Sequence, residues 1–204
     1  MKKQTGFTLV EIAIVMVIIG LLLGGVLKGR EMITNAKVKG IEADFNGVTA
    51  ALYSYQDRYR ALPGDDKKAT RFYTTIPVGD RNGKIGTGSQ FNSGNDGDEP
   101  RLFWLHLRNA GLVAGDTTTI DGGQEQPVNK VGGITGVATG YTTVINISSH
   151  FVGFTEIPQD IAQIIEAHGD NEKSGSGSIQ GTKTDGTTGN DYGDDELYYL
   201  FFKL

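Results

Sequence analysis

Residues 7–27 read FTLVEIAIVMVIIGLLLGGVL, 21 residues of which one, Glu11, is charged. As a helix rising 1.5 Å per residue, this stretch spans roughly 30 Å, the thickness of a bilayer's hydrocarbon core. It either crosses a membrane or packs among other apolar helices. The leader before it, MKKQTG at residues 1–6, is short and polar, and no small-x-small cleavage site follows the apolar run. The helix is therefore expected to be retained rather than removed as a secretory signal. Lys2 and Lys3 on one side are balanced by Lys28 and Arg30 on the other, so the positive-inside rule leaves the orientation open. An ionised Glu11 inside an apolar segment costs about 2.5 to 3.5 kcal/mol on insertion scales. It needs either a position near the interface, where it reaches water, or a partner. Gly20/Gly24 and Gly25/Gly29 give two G-x-x-x-G spacings, which let helices approach closely in lipid. Taken alone, these features describe a dimerising single-span helix.

Outward from the apolar run, Val38, Ile41, Phe45, Val48, Leu52, Tyr55, Tyr59 and Leu62 are spaced alternately three and four residues apart. That is the period of one helix face. Lys37, Lys39, Glu42, Asp44, Asp57 and Arg58 fall off the stripe, which predicts one wet face and one packed face. A coiled coil has the same spacing, but docking on the chain's own C-terminal part is preferred, because roughly 140 further residues need a core. Leu62-Pro63-Gly64-Asp65 ends the pattern, since Pro63 disfavours a helical Leu62 and Gly64 permits a turn. A helix from residue 7 to about residue 60 would be on the order of 80 Å long.

The rest of the 204-residue chain reads as an α+β head. Residues 79–98, GDRNGKIGTGSQFNSGNDGD, are a glycine-rich and Asx-rich loop expected to bury little. Pro100 suits a first helical turn, and Leu102, Phe103, Leu105, Leu107 and Leu112 place a helix at 101–112. Residues 141–148, YTTVINIS, are rich in β-branched side chains and predict a strand. Residues 158–168 open with a proline and carry Ile161, Ile164 and Ile165 on one face, which predicts a short helix. Strands are expected at 177–181 and at 197–204. The net charge of −5, with no basic stripe, argues against nucleic acid as a direct partner of one subunit. The absence of cysteine excludes disulfides, thiolate metal sites and a Cys nucleophile. No G-x-S-x-G, P-loop or G-x-G-x-x-G sequence is present, so a catalytic role has no visible constellation.

Gly6-Phe7-Thr8-Leu9-Val10-Glu11, behind a Lys-containing leader and ahead of the apolar run, resembles the N-terminal signature of type IV pilins and of the pseudopilins of type II secretion. The resemblance implies cleavage between Gly6 and Phe7 by a prepilin peptidase and methylation of the new N-terminus at Phe7. It also supplies a partner for Glu11: the charged amine of a neighbouring subunit's Phe7, inside a low-dielectric filament core. The implied organisation is a leader at 1–6, a membrane-spanning and filament-core helix at 7–28, its amphipathic continuation at 29–62 and a pilin-like head at 63–204. The implied head is antiparallel strands laid over the long helix. Ala61-Leu62-Pro63-Gly64-Asp65 and Phe103-Trp104-x-His106-Leu107-x-x-Ala110-Gly111-Leu112 resemble, more loosely, stretches of some proteobacterial pilin-like proteins. One departure is Lys28, which stands where many members carry a proline.

The implied function is that of a structural subunit, with a type II secretion pseudopilin as the alternative in the same class and a single-span envelope enzyme or receptor as the alternative from another. Its implied partners are the peptidase, identical or related pilin subunits, the inner membrane during assembly and an assembly platform protein. The implied location is the inner membrane as precursor, then a surface filament or periplasmic pseudopilus. Calcium occurs in some pseudopilin heads, and Asp80-x-Asn82-Gly83 hints at such a loop. It departs from the EF-hand pattern because Lys84 stands where an oxygen ligand belongs, and an Asx turn is the preferred reading. Asp191, Asp194 and Asp195, beside Asp185, Glu196 and the loop glycines, are the candidate calcium ligands, with a solvated acidic loop as the preferred reading. His106, His150 and His168 have no metal-ligand spacing, and His106 and Trp104 read as packing residues.

Overall fold

The computed structural model describes residues 8–117, 120–141, 145–170, 173–184, 192 and 196–204. Helix α1 is Leu9–Tyr59 and runs unbroken through Gly20, Gly24, Gly25 and Gly29. The chain divides into two compact units between Lys37 and Val38. In the second unit the helical stripe is buried as its period requires. Val38, Ile41, Val48, Leu52 and Tyr55 are in the core, and Phe45, Tyr59 and Leu62 pack against it. The stripe thus docks on the chain's own head. The helix stops one residue before the expected point because Arg60 takes a left-handed φ of 55°, its N–H donating to the Gln56 carbonyl at 2.8 Å.

The head carries α2 (Glu99–Asn109), α3 (Ile120–Gln124), β1 (Thr135–Tyr141), β2 (Ile147–Pro158), α4 (Gln159–Gly169), β3 (Ile179–Lys183) and β4 (Leu197–Lys203). The four strands form one antiparallel sheet in the order β1-β2-β4-β3, so the fold is α+β, a long N-terminal helix packed on an antiparallel sheet. Strand β4 explains the layering through its period of two. Tyr198, Leu200 and Phe202 join the core under α1, where the Phe202 and Phe45 rings stack at 4.9 Å, while Phe201 faces the other side of the sheet.

The head corrects two expectations. The loop 79–98 does bury side chains: Ile85 and Phe91 are 0% and 1% exposed. Each such burial contributes about 1.5 to 3 kcal/mol. Phe91 lies across the paired glycines Gly136 of β1 and Gly153 of β2, where a Cβ on Gly153 would stand 2.5 Å from the Phe91 ring. The Ile85 N–H donates to Thr139 Oγ1 at 2.7 Å, and the Ile85 carbonyl accepts from the Thr139 N–H at 3.2 Å. Of the strand expected at 141–148, Tyr141 ends β1 and pairs with Ile147, which begins β2, Ile145 and Asn146 belong to neither strand, and 142–144 lie outside the described residues.

Helix α2 begins at Glu99 and ends at Asn109, earlier at both ends than expected. The Gly111 N–H donates to the Arg108 carbonyl at 2.9 Å and the Leu112 N–H to the Leu107 carbonyl at 3.0 Å, with Gly111 at φ 70°. This is the Schellman closure, which uses glycine's left-handed freedom and keeps Leu112 against the core without a further helical turn. Helix α4 and strand β3 likewise begin one and two residues beyond their expected starts, and β4 closes at Lys203.

Candidate assembly site

At the start of α1, Thr8 and Glu11 cap each other. Glu11 Oε2 accepts from the Thr8 N–H and from the Thr8 hydroxyl, each at 2.8 Å, and the Glu11 N–H donates to Thr8 Oγ1 at 3.3 Å. Four amide donors at a helix start have no intrahelical partner, and this capping box satisfies two of them reciprocally. The signal was present in the sequence as Thr-x-x-Glu ahead of an apolar run, and the reading above used Glu11 without its cap. Because the cap needs only Thr8 and Glu11, removal of residues 1–6 would leave it whole. Glu11 Oε1 accepts no hydrogen bond among the described residues, so one carboxylate oxygen is open to an incoming cation. Gly6 and Phe7 lie outside the described residues.

Beside Glu11 and along the helix beyond it the side chains are apolar and open: Leu9 is 90% exposed and Leu21 73%. Among the described residues, α1 is the one helix long and apolar enough to cross a membrane. Nothing stands within 4 Å of a Cβ built on Gly20, Gly24, Gly25 or Gly29, so both G-x-x-x-G faces are free. The arrangement offers an apolar rod with one carboxylate near its tip.

At the far end of α1, a polar network fixes the chain reversal into the head. The Tyr55 hydroxyl donates to Asp66 Oδ2 at 2.7 Å, and Arg71 forks onto both Asp66 oxygens. Burial opposes ionisation of Asp66, but the bonds from Arg71 and Tyr55 outweigh it and hold the carboxyl below its ordinary value. The Arg71 guanidinium also lies 4.7 Å from the Tyr59 ring centroid. His106 is fully buried, accepting from the Gly64 N–H on Nδ1 at 3.0 Å, which leaves Nε2–H to donate to the Pro77 carbonyl at 3.0 Å. Burial lowers its pKa, so the ring is neutral and structural, as its sequence context implied. Trp104, 1% exposed, is a core residue as expected. His150 bonds Thr139 Oγ1 at 2.7 Å and His168 faces Glu42 at 3.4 Å, so the three histidines are engaged separately.

The acidic residues assort differently from the sequence grouping. Asp191, Asp194 and Asp195 lie outside the described residues. Asp80 is joined by two residues that sequence spacing did not connect to it, Asp65 and Glu99, with ligand-type oxygens within 4.8 Å of one another. Their oxygens are taken up by the chain. Asp65 accepts from the Asn82 and Gly83 N–H groups at 2.9 and 2.8 Å, and Glu99 from those of Asp80 and Gly86 at 3.1 and 2.8 Å. Asp80 accepts from the Asn82 N–H and side-chain amide at 2.9 and 2.8 Å, which is the preferred Asx turn. Burial raises the pKa of both Asp65 and Glu99, with the neighbouring carboxylates adding to it at Glu99. The group organises the loop on the head.

Residues 1–27 match the family model described as the prokaryotic N-terminal methylation motif, the signature of type IV pilins and pseudopilins. No curated protein and no solved structure matches the chain. With the long apolar helix behind it, the motif supports a type IV pilin or pseudopilin, a class of proteins that is structural rather than catalytic, and implies processing by prepilin peptidase and a membrane-anchored precursor.

Proposed function

We propose that the chain is a prepilin, cut between Gly6 and Phe7, methylated on Phe7 and polymerised through α1 into a type IV pilus or related filament. The observation that carries this is the single carboxylate of Glu11, held by Thr8 with one oxygen open, in a helix whose apolar side chains are exposed. In a subunit standing alone these side chains need lipid; in a filament they would cover one another. The open oxygen of Glu11 would then accept the Phe7 amine of a neighbour, a pair whose attraction rises as water is excluded. The inner membrane and an assembly platform protein are the partners this route requires. A pseudopilin of type II secretion would use the same helix chemistry, and the neighbouring genes separate the two. Deleting the host's prepilin peptidase tests the proposal: the chain should then remain in the inner membrane still beginning at Met1. Unchanged processing in that strain would contradict it.

A further inference from the structure

Glu166 of α4 is 1% exposed. Its Oε1 accepts the Tyr192 hydroxyl at 2.7 Å, and its Oε2 has no hydrogen-bond partner among the described residues. Tyr192 is itself buried, its ring 4.9 Å from that of Tyr198 on β4. The Tyr192 carbonyl accepts from the side-chain amides of Gln159 and Gln163, both on α4, at 2.9 and 2.8 Å. The slot is shaped to the ring on the β3 side as well, because a Cβ on Gly181 would stand 2.5 Å from the Tyr192 hydroxyl. Tyr192 belongs to no helix or strand, and among the described residues its hydrogen bonds are made with side chains of α4.

The electrostatics of the slot are one-sided. Tyr192 donates one bond to Glu166, and Tyr198 adds an uncharged ring beside it. Among the described residues the charged group acting on Glu166 is Asp170, of the same sign, just past the end of α4 and itself bonded to the Ile179 N–H of β3 at 2.9 Å. A buried carboxylate with one unsatisfied oxygen and a like charge nearby is costly, whereas the protonated acid is tolerated. We infer that Glu166 and Tyr192 form a proton-operated latch: protonated Glu166 keeps Tyr192 seated, and loss of the proton unseats Tyr192 so that the carboxylate reaches water. Tyr192 is the wall that yields, since the others are helix and strand. Burial, then Asp170, pushes the Glu166 pKa up to about 7, with the Tyr192 bond opposing. The sign follows for an acid raised above its ordinary value: the latch is fully engaged below about pH 4.5 and is lost as pH rises through about 7. The inference rests on the head alone and is independent of filament assembly.

Hydroxyl-radical footprinting of the full chain in detergent micelles, read by mass spectrometry on the Tyr192 peptide, tests the latch. Tyr53, 54% exposed, serves as the internal standard. Between pH 5.5 and 8.5, Tyr192 labelling should rise several-fold, with its midpoint near pH 7. In Glu166→Gln, whose amide oxygen still accepts the Tyr192 bond, labelling should stay low at both pH values. Asp170→Asn, which removes the like charge, should move the wild-type midpoint downward. Equal Tyr192 labelling at the two pH values in wild type would overturn the latch, whether or not a variant folds. So would an undiminished rise in Glu166→Gln, or a midpoint that Asp170→Asn leaves in place.

Discussion

Thr8 and Glu11 satisfy each other at the first turn of α1, with two bonds of 2.8 Å converging on a single carboxylate oxygen of Glu11. Through Oε2 Glu11 closes the helix start, and in the proposed filament its Oε1 would present charge to a neighbour.

Replacing Glu11 by leucine should separate these tasks from membrane insertion. Losing a lone intramembrane charge favours insertion by about 2.5 to 3.5 kcal/mol. In the filament, the same change would leave a buried amine without its partner, at about 3 to 5 kcal/mol. Membrane levels of Glu11→Leu should therefore equal or exceed wild type while filament yield collapses, as measured by fractionation and by shearing. Normal filament yield would refute the pairing.

Thr8→Ala removes the cap and leaves the charge. Loss of a Thr cap costs about 1 kcal/mol. Hydrogen exchange at the first turn of α1 should speed up accordingly in micelles, with Thr8→Ser close to wild type. Equal exchange in Thr8→Ala and wild type would show that the Thr8 cap contributes nothing.

Gly64 holds the reversal out of α1. Its φ is +87°, and an added Cβ would stand 2.5 Å from the Glu99 carbonyl oxygen. Left-handed strain alone costs roughly 1 to 2 kcal/mol, and the clash adds to it, so Gly64→Ala should destabilise the head by more than about 2 kcal/mol. For a chain of this size that lowers Tm by at least about 4 °C. A melting temperature within a degree of wild type would contradict the geometry.

How far the sequence could be read depended on whether the signal was local. The stripe from Val38 to Tyr59 predicted its own burial because helical spacing is set by neighbours three and four apart. Glu11 stood out because a charge in an apolar run has a cost wherever the chain folds. β1 was invisible: Thr135–Tyr141 reads TGVATGY, and its Gly136 is there to admit Phe91, a contact 45 residues away. The β-branched run at 141–148 misled at Ile145 and Asn146, which belong to no strand, because propensity marks extended backbone but not where a strand begins. Asp65 and Glu99 were missed as companions of Asp80 for the same reason, since only the folded loop brings them together. The capping box, by contrast, was local and legible.

His106 gives the pH dependence of the buried network. Burial lowers its pKa below the ordinary 6.5, so stability is present above that value and is lost as pH falls through it toward the folded-state pKa. Ring-nitrogen NMR of labelled histidine at pH 6 should find His106 neutral, with the proton on Nε2. A protonated His106 ring at pH 6 would contradict its burial and its acceptance of the Gly64 N–H.

The most direct test of the central claim is the intact mass of subunits from filaments sheared off the native host. The account predicts a chain lacking residues 1–6 and carrying one methyl group, placed by fragmentation on the Phe7 nitrogen. A subunit still beginning at Met1, one cut after Leu27, or filaments without this chain would contradict it.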